Sequence, residues 1–320
     1  MRRWPRLPVP VLHAPVLRAP VLRAPVLHAL VLSVLVLLLL AAPVPAAPAG
    51  RVAGTLKVAT WNLEWLTDRP AGGPDLPADA RPKRPADIAR LRAYAARMDA
   101  DVIAIQEVDG RRMAAQVFPL SGYAIHMTAD HVVQRVGIVV RRGIPFTVHP
   151  DLTALAPPGS WLRSGADVTL DLPGGKLRVL AVHLKTDCHF SSLRGRRRAC
   201  AILARQVPVL AAWIRARAQA GRAFLVLGDF NRWMDRRDGK ADGMWRRLSA
   251  AAPLARATRG FASPCWGGER FIDHILAGGA ARGWMEPATL RVLVFAEHGR
   301  AWKERLSDHC PVSVRFRLPP

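Results

Sequence analysis

Nine apolar runs of four to eight residues, rich in Val, Ile, Leu and Phe, are spread between residues 56 and 316. They are Leu56–Thr60, Val102–Gln106, Val136–Val140, Val168–Leu172, Leu177–Leu184, Phe224–Leu227, Phe271–Leu276, Leu290–Phe295 and Val312–Phe316. Runs this short, bounded by turn-formers and charges, predict strands rather than helices. Ala86–Met98 instead carries Ile88, Leu91, Ala95 and Met98 at helical spacing. Ala199–Ala220 reads as a long helix with an expected kink at Pro208. The stretch Asp68–Pro85 is dense in Pro, Gly and Asp and reads as loop. No internal repeat and no linker divides residues 55–318. Strands with interspersed helices predict a layered α/β architecture in one domain over residues 50–320.

The first 49 residues do not fit that pattern. They hold five arginines, no lysine and no acid. Residues 11–40 repeat in units of five (VLHAP, VLRAP, VLRAP, VLHAL, VLSVL, VLLLL), and the prolines forbid a regular helix before Pro25. An apolar stretch then runs from Val26 to Ala42, broken only by His28 and Ser33, and Ala47-Pro48-Ala49 forms an A-x-A pattern. A basic segment, an apolar segment and small residues in that order predict a secretory signal cut near Ala46 or Ala49. An uncleaved anchor is the alternative. A secreted or periplasmic protein is expected, with a membrane-anchored form the variant reading.

The whole chain has 47 Lys and Arg against 24 Asp and Glu, a formal charge of +23. Without residues 1–49 there remain 42 bases and 24 acids on 271 residues. That excess favours an anionic partner such as nucleic acid or a membrane surface. All four cysteines, Cys188, Cys200, Cys265 and Cys310, follow the signal, with 11, 64 and 44 residues between them. Those gaps do not match a zinc site. In an oxidising compartment two disulfides are expected. Three pairings are open, and the favoured one joins Cys188 to Cys200 and Cys265 to Cys310.

Polar clusters stand where the apolar runs stop: Trp61-Asn62-Leu63-Glu64, Gln106-Glu107-Val108, His183-Leu184-Lys185, Gly228-Asp229-Phe230-Asn231, Ile272-Asp273-His274 and Ser307-Asp308-His309. Strand ends are where scaffolds place binding and catalytic groups. Glu107, Asp229 and Asp308 are hard oxygen donors suited to Mg²⁺ or Mn²⁺. Asn62 and Asn231 can hold a phosphate or a water without adding negative charge. His183 and His309 can donate to phosphoryl oxygens or move protons near neutral pH, and Asp273 can orient a histidine. Such a set suits metal-assisted in-line displacement at a phosphate ester.

GDFN, then IDH, then SDHCPV, with QE upstream, resembles the endonuclease/exonuclease/phosphatase superfamily, which includes deoxyribonuclease I and exonuclease III. The resemblance runs from about Leu56 to Phe316. It implies a four-layer sandwich, two packed mixed β-sheets flanked by helices. It implies Asn62, Glu107 and Asp308 around the metal, with Glu107 the main ligand. It further implies Asp229 and Asn231 at the attacking water, and His309 at the phosphate with Asp273 orienting it. His183 resembles the second histidine of the deoxyribonuclease I type, where exonuclease III-like enzymes carry tyrosine. Gln134 stands where deoxyribonuclease I has a glutamate partner for that histidine, which leaves His183 a hydrogen-bonding role. Arg163, in WLRSGADV, matches a phosphate-contacting arginine.

Arg194, Arg196, Arg197 and Arg198 follow closely after His183. If Cys188 and Cys200 pair, Arg196 and Arg197 are expected to grip a phosphate backbone. The expected activity is therefore an exported, Mg²⁺- or Mn²⁺-dependent endonuclease of low sequence specificity, acting on DNA or RNA by water attack on phosphorus. The alternatives are an exported phospholipid or sphingomyelin phosphodiesterase, a small-phosphoester phosphatase and an inactive nucleic-acid-binding module. Scattered Trp233, Trp245 and Trp266 suggest no aromatic membrane-contacting loop. No protein partner is inferred, and a monomer is expected.

Overall fold

In the computed structural model, the described residues are 54–320 except 74, 75, 79 and 236–239. The signal and its repeat lie outside them. Twelve strands form two six-stranded mixed sheets. The first sheet has the order β11-β12-β1-β2-β4-β3. Its members are β1 (Thr55–Leu66), β2 (Val102–Val108), β3 (Tyr123–Met127), β4 (Arg135–Arg141), β11 (Met285–Val292) and β12 (Val312–Arg317). The second has the order β5-β6-β7-β8-β10-β9. It comprises β5 (Phe146–Val148), β6 (Ala166–Leu172), β7 (Gly175–His183), β8 (Ala223–Asp229), β9 (Leu254–Arg256) and β10 (Asp273–Gly278).

Alternation along the strands explains the layering. In β1, Leu56 and Val58 face the second sheet, where Val168, Val179, Leu225 and Ile275 meet them in the central core. Ala59, Trp61 and Leu63 face the opposite way, onto α1 (Pro85–Met98) and α2 (Gly110–Val117). In β7, Leu180 and Val182 meet α3 (Arg198–Gln219) and α4 (Gly243–Ala251). The central strands are thus covered on both faces, so they read as continuous apolar runs. This is the four-layer sandwich expected from the sequence.

α1 begins with Pro85 at its first position, where the missing N–H costs nothing. It ends at Asp99, which takes left-handed φ of 44°. Its buried Asp87 pairs with Arg84 at 3.0 Å and with Arg305 at 2.6 Å, Arg305 closing α6 (Arg300–Arg305). α3 runs through Pro208 as one helix. Proline removes one backbone donor there, and packing on the second sheet keeps the helix whole. Cys188–Cys200 and Cys265–Cys310 are both paired, as favoured above. Four-residue α5 (Ala281–Trp284) completes the helices among the described residues.

Candidate active site

Strand register brings the central polar residues together. In the parallel pair β7·β8, His183 stands opposite Asp229, and in the antiparallel pair β8·β10, Asp229 stands opposite Asp273. Three of the sequence clusters therefore lie side by side across neighbouring strands. In the other sheet Asn62 of β1 stands opposite Gln106 of β2, one residue before Glu107. Both strands then shift register, between Asn62 and Leu66 and between Ile105 and Val108. Within those irregularities Glu64, Trp65 and Glu107 take positive φ of 40°, 52° and 59°, and Asn231 follows β8 with φ of 51°. Left-handed conformations are costly for residues other than glycine. Four of them at one edge turn carboxylates and amides into a single cleft of about 590 Å³ between the sheet ends.

Asn62 is fully buried and ties the two sheets. Its Nδ2 donates to Glu107 Oε1 at 3.0 Å and to Asp229 Oδ2 at 3.2 Å. Asn231 donates from Nδ2 to Asp229 Oδ2 at 3.0 Å and to the Leu184 carbonyl at 3.1 Å. Its backbone N–H donates to Asp229 Oδ1 at 2.8 Å. Burial pushes the Asp229 carboxyl up to about 7, with His309 pulling against it and Asp273 and Glu107 adding repulsion. His309 Nδ1 lies 2.7 Å from Asp273 Oδ2, and its Nε2 lies 3.8 Å from Asp229 Oδ2. Burial opposes charge on His309, but Asp273 and Asp308 outweigh it and hold its pKa well above the usual imidazole value. His309 is also held from behind, since its N–H donates to Ser307 Oγ at 3.0 Å and its carbonyl accepts from Trp61 Nε1 at 3.2 Å.

His183 behaves oppositely. Burial, and then the guanidinium of Arg163, push its pKa well below the usual value. Arg163 donates from Nη2 to His183 Nδ1 at 2.7 Å and from Nε at 3.1 Å. Arg163 Nη2 also contacts His183 Nε2, so the guanidinium faces both ring nitrogens, and Nε2 lies 3.4 Å from Asp229 Oδ2. Gln134 does not take the place of a glutamate beside this histidine. Its Nε2 donates to Glu107 Oε2, because β4 pairs with β2 and delivers it to that carboxylate. Arg163 thus occupies the histidine's side of the site and lines the cleft.

Several residues in or beside the cleft fall outside the expected site, and Glu64 is among them although it closes the first polar cluster. Glu64 accepts from the Asp308 N–H at 3.0 Å and faces buried Lys83 at 3.7 Å. Burial pushes Glu64 up to about 8, against the attraction of Lys83 and with repulsion from Asp308 and Glu107. Lys83 comes from the Pro/Gly/Asp-rich loop, where nothing distinguishes it from a solvated lysine. His189 Nε2 lies 3.2 Å from Asn231 Oδ1. His274, the last residue of IDH, lies on the other face of β10 between Thr258 Oγ1 at 2.6 Å and the Arg232 carbonyl at 2.9 Å. Burial lowers its pKa to about 3, and it takes no part in the cleft. Arg196 and Arg197 are exposed and do not line the cleft either. They sit on the loop beside it, where Arg197 Nη1 donates to Ser191 Oγ at 3.2 Å. Trp161, 72% exposed, stands at the cleft, and Phe190 is 64% exposed on the disulfide loop.

Burial is the main cause that lifts Glu64 and Asp229 above their ordinary pKa, with lesser repulsion from neighbouring carboxylates that a divalent cation would offset. Asp229, Asp273 and His309 each offer a ligand atom within 4.8 Å of the others. The Asp273 contact, however, favours a protonated His309, which cannot ligate. Glu107 and Asp308 add carboxylate oxygens to the same cleft, the donor type a hard cation takes, while the Asn62 oxygen accepts from the Glu64 N–H at 2.9 Å.

The model of the Endonuclease/Exonuclease/phosphatase family matches residues 59–309. The chain belongs to this family. No curated protein matches it in sequence. Among solved structures of family type, it is similar to a 3′ phosphatase, NExo, from Neisseria bound to product DNA hairpin. Identity is 18% and the TM-score 0.58, over 82% of this chain and 99% of that one. It is also similar to D. rerio TDP2 complexed with single strand DNA product, at 16% identity and TM-score 0.52, over 82% and 98%. The human Nocturnin catalytic domain with bound sulfate anion is similar at 15% and 0.53, over 83% and 96%. These identities establish a shared fold. Family membership supports a metal-dependent phosphodiesterase or nuclease as the general activity.

Proposed function

We propose that this chain is an exported endonuclease of low sequence specificity that hydrolyses DNA, with RNA the second candidate substrate, using Mg²⁺ or Mn²⁺. The observation that carries the reading is the convergence of His309–Asp273, neutral His183, Asp229–Asn231 and Glu107–Asn62 on one cleft. Glu107, with Asn62 and Asp308, would hold the cation, which supplies charge for the phosphate oxygens. Asp229, raised by burial and braced by Asn231, accepts a proton from the attacking water. Protonated His309, oriented by Asp273, donates to the phosphoryl group. Neutral His183 hydrogen-bonds a phosphoryl oxygen, and Arg163, which contacts both of its ring nitrogens, supplies the positive charge beside it. The basic excess and the DNA in two of the similar structures support nucleic acid as the substrate. The A-x-A segment and two disulfides support export, and a single chain carries every residue named here.

The test is a substrate panel. Purified protein is incubated with plasmid DNA, RNA, sphingomyelin and bis-p-nitrophenyl phosphate, each with Mg²⁺ or EDTA. Nicking of plasmid in Mg²⁺ alone is expected. Sphingomyelin turnover without nicking would replace the nuclease reading with the lipid one.

A further inference from the structure

A second cavity, of about 830 Å³, adjoins the cleft and shares Trp161, Leu162 and Lys185 with it. One wall is the segment 157–162, and the other is the first two turns of α3, through Ala199 and Ile202. Buried Gln206 fixes the distance between the walls. Its Nε2 donates to the Leu155 carbonyl at 2.9 Å, and its Oε1 accepts from the Lys185 N–H at 2.9 Å. A group bound at phosphorus in the cleft would therefore pass over Trp161 and Leu162 into a trough of set width.

Trp161 stands where the two cavities meet. Among the described residues it is the most exposed large apolar side chain, and no ring contact or hydrogen bond occupies its indole. The backbone that follows it is anchored. Arg163 holds His183, and Ser164 donates to Asp130 from its N–H at 2.9 Å and from its Oγ at 2.7 Å. A free ring is thus carried on a segment tied to the reacting groups. The rim of the cavity is basic. Arg198 and Arg205 are exposed and stand seven residues apart on α3, about 10 Å along its axis. Among the described residues no acid pairs with either. Asp187, the one acid that lines the cavity, pairs with Lys185 at 3.2 Å.

We propose that this cavity takes an unpaired nucleotide next to the phosphate under attack. Its base stacks on Trp161, and phosphates beyond it lie against Arg198 and Arg205. The proposal rests on the nuclease reading and narrows its substrate to strands with an unpaired stretch at the cleavage point. A paired base keeps its faces stacked on its neighbours, whereas an unpaired one offers a ring face and a phosphate at each step. A lipid acyl chain would also fill apolar walls, but it carries its charge at one end only. Two unpaired arginines spaced along the trough match an occupant whose negative charge repeats.

Binding is measured by fluorescence anisotropy in EDTA, with a short labelled single strand, a blunt duplex of the same sequence, and phosphatidylserine vesicles as competitor. Trp161→Ala is expected to weaken strand binding about 5- to 150-fold, the scale of one lost base stack, and to leave duplex binding within about twofold of the parent. Trp161→Phe, which keeps a ring face, should restore most of the strand binding. Arg205→Ala should lower the logarithmic salt slope of strand binding by about 0.7. The site is overturned if Trp161→Ala binds the strand as the parent does, or if strand and duplex weaken equally. An unchanged salt slope in Arg205→Ala, or a loss in Trp161→Ala confined to vesicle binding, overturns it as well. Nicking of plasmid by the parent protein in Mg²⁺ reports separately on the nuclease reading. Nicking with strand binding indifferent to Trp161 defeats this site and leaves the nuclease reading standing. Strand binding that depends on Trp161 without any nicking does the reverse.

Discussion

His309 Nδ1 and Asp273 Oδ2 meet at 2.7 Å across the two sheets of the sandwich. Asp273 opens β10 in one sheet, and His309 stands three residues before β12 in the other. The pair closes the cleft only when both sheets are packed, so the geometry of the proposed site is a product of the central core. His309→Ala is expected to reduce turnover at least about 10²-fold, the usual scale for losing a positioned proton-transfer group. Asp273→Asn should reduce it less and move the alkaline limb of the pH profile down, because the charge that raises His309 is gone. Turnover on DNA at saturating Mg²⁺, with melting curves within a few degrees of the parent, checks both. A His309→Ala protein that folds normally and cleaves at the parent rate contradicts the assignment.

Burial raises Asp229 from 3.8 to about 7 and Glu64 from 4.5 to about 8. A carboxyl raised on folding binds more protons in the native state than in the unfolded chain. Its contribution to stability therefore falls as pH rises from the unfolded value through the folded one. In EDTA, the melting temperature should decline between about pH 5 and pH 9 through these two groups. A divalent cation neutralises the same charges, so Mg²⁺ should raise the melting temperature more at pH 8.5 than at pH 5.5. Equal shifts at both pH values would count against a cation in this cleft.

Glu107 sits at the bulge of β2 with φ of 59° and receives Asn62, the Trp65 N–H and Gln134. Glu107→Gln keeps the shape but removes the charge, and its amide faces donors. Most of the activity and most of the Mg²⁺-induced rise in melting temperature should disappear together. Loss of activity with an unchanged Mg²⁺ effect would place the cation elsewhere.

Arg232 and Asp242 form an ion pair with side chains 2% and 8% exposed. Asp242→Ala strands a buried guanidinium and removes the cap of α4. A loss of about 3–5 kcal/mol is expected from the stranded charge, read by denaturant unfolding. Asp242→Asn, which keeps one acceptor and the cap, should lose less.

The strands that build the core could be read from their apolar runs because both faces are buried, which makes Val102–Val108 or Ala223–Asp229 apolar without alternation. The three-residue edge strands β5 and β9 bury too little to leave such a signal. Asn62, Glu107, His183 and Asp229 stand out in sequence because each ends or follows an apolar run, whereas Asp273 opens β10 and His309 precedes β12; strand register then sets His183, Asp229 and Asp273 side by side. Lys83 and His189 come from loops, and only folding carries them to Glu64 and Asn231. Gln134 reaches Glu107 for a related reason. Position in the chain cannot distinguish a side chain facing His183 from one facing Glu107 across a bulge.

Cleavage of plasmid DNA in ¹⁸O-water, with product phosphates analysed by mass spectrometry, tests the proposed chemistry most directly. With Mg²⁺, each new phosphate end should carry one ¹⁸O, and with EDTA no cleavage should occur. Cleavage in EDTA, or products whose phosphate ends carry no ¹⁸O, would contradict metal-dependent attack of water on phosphorus in this cleft.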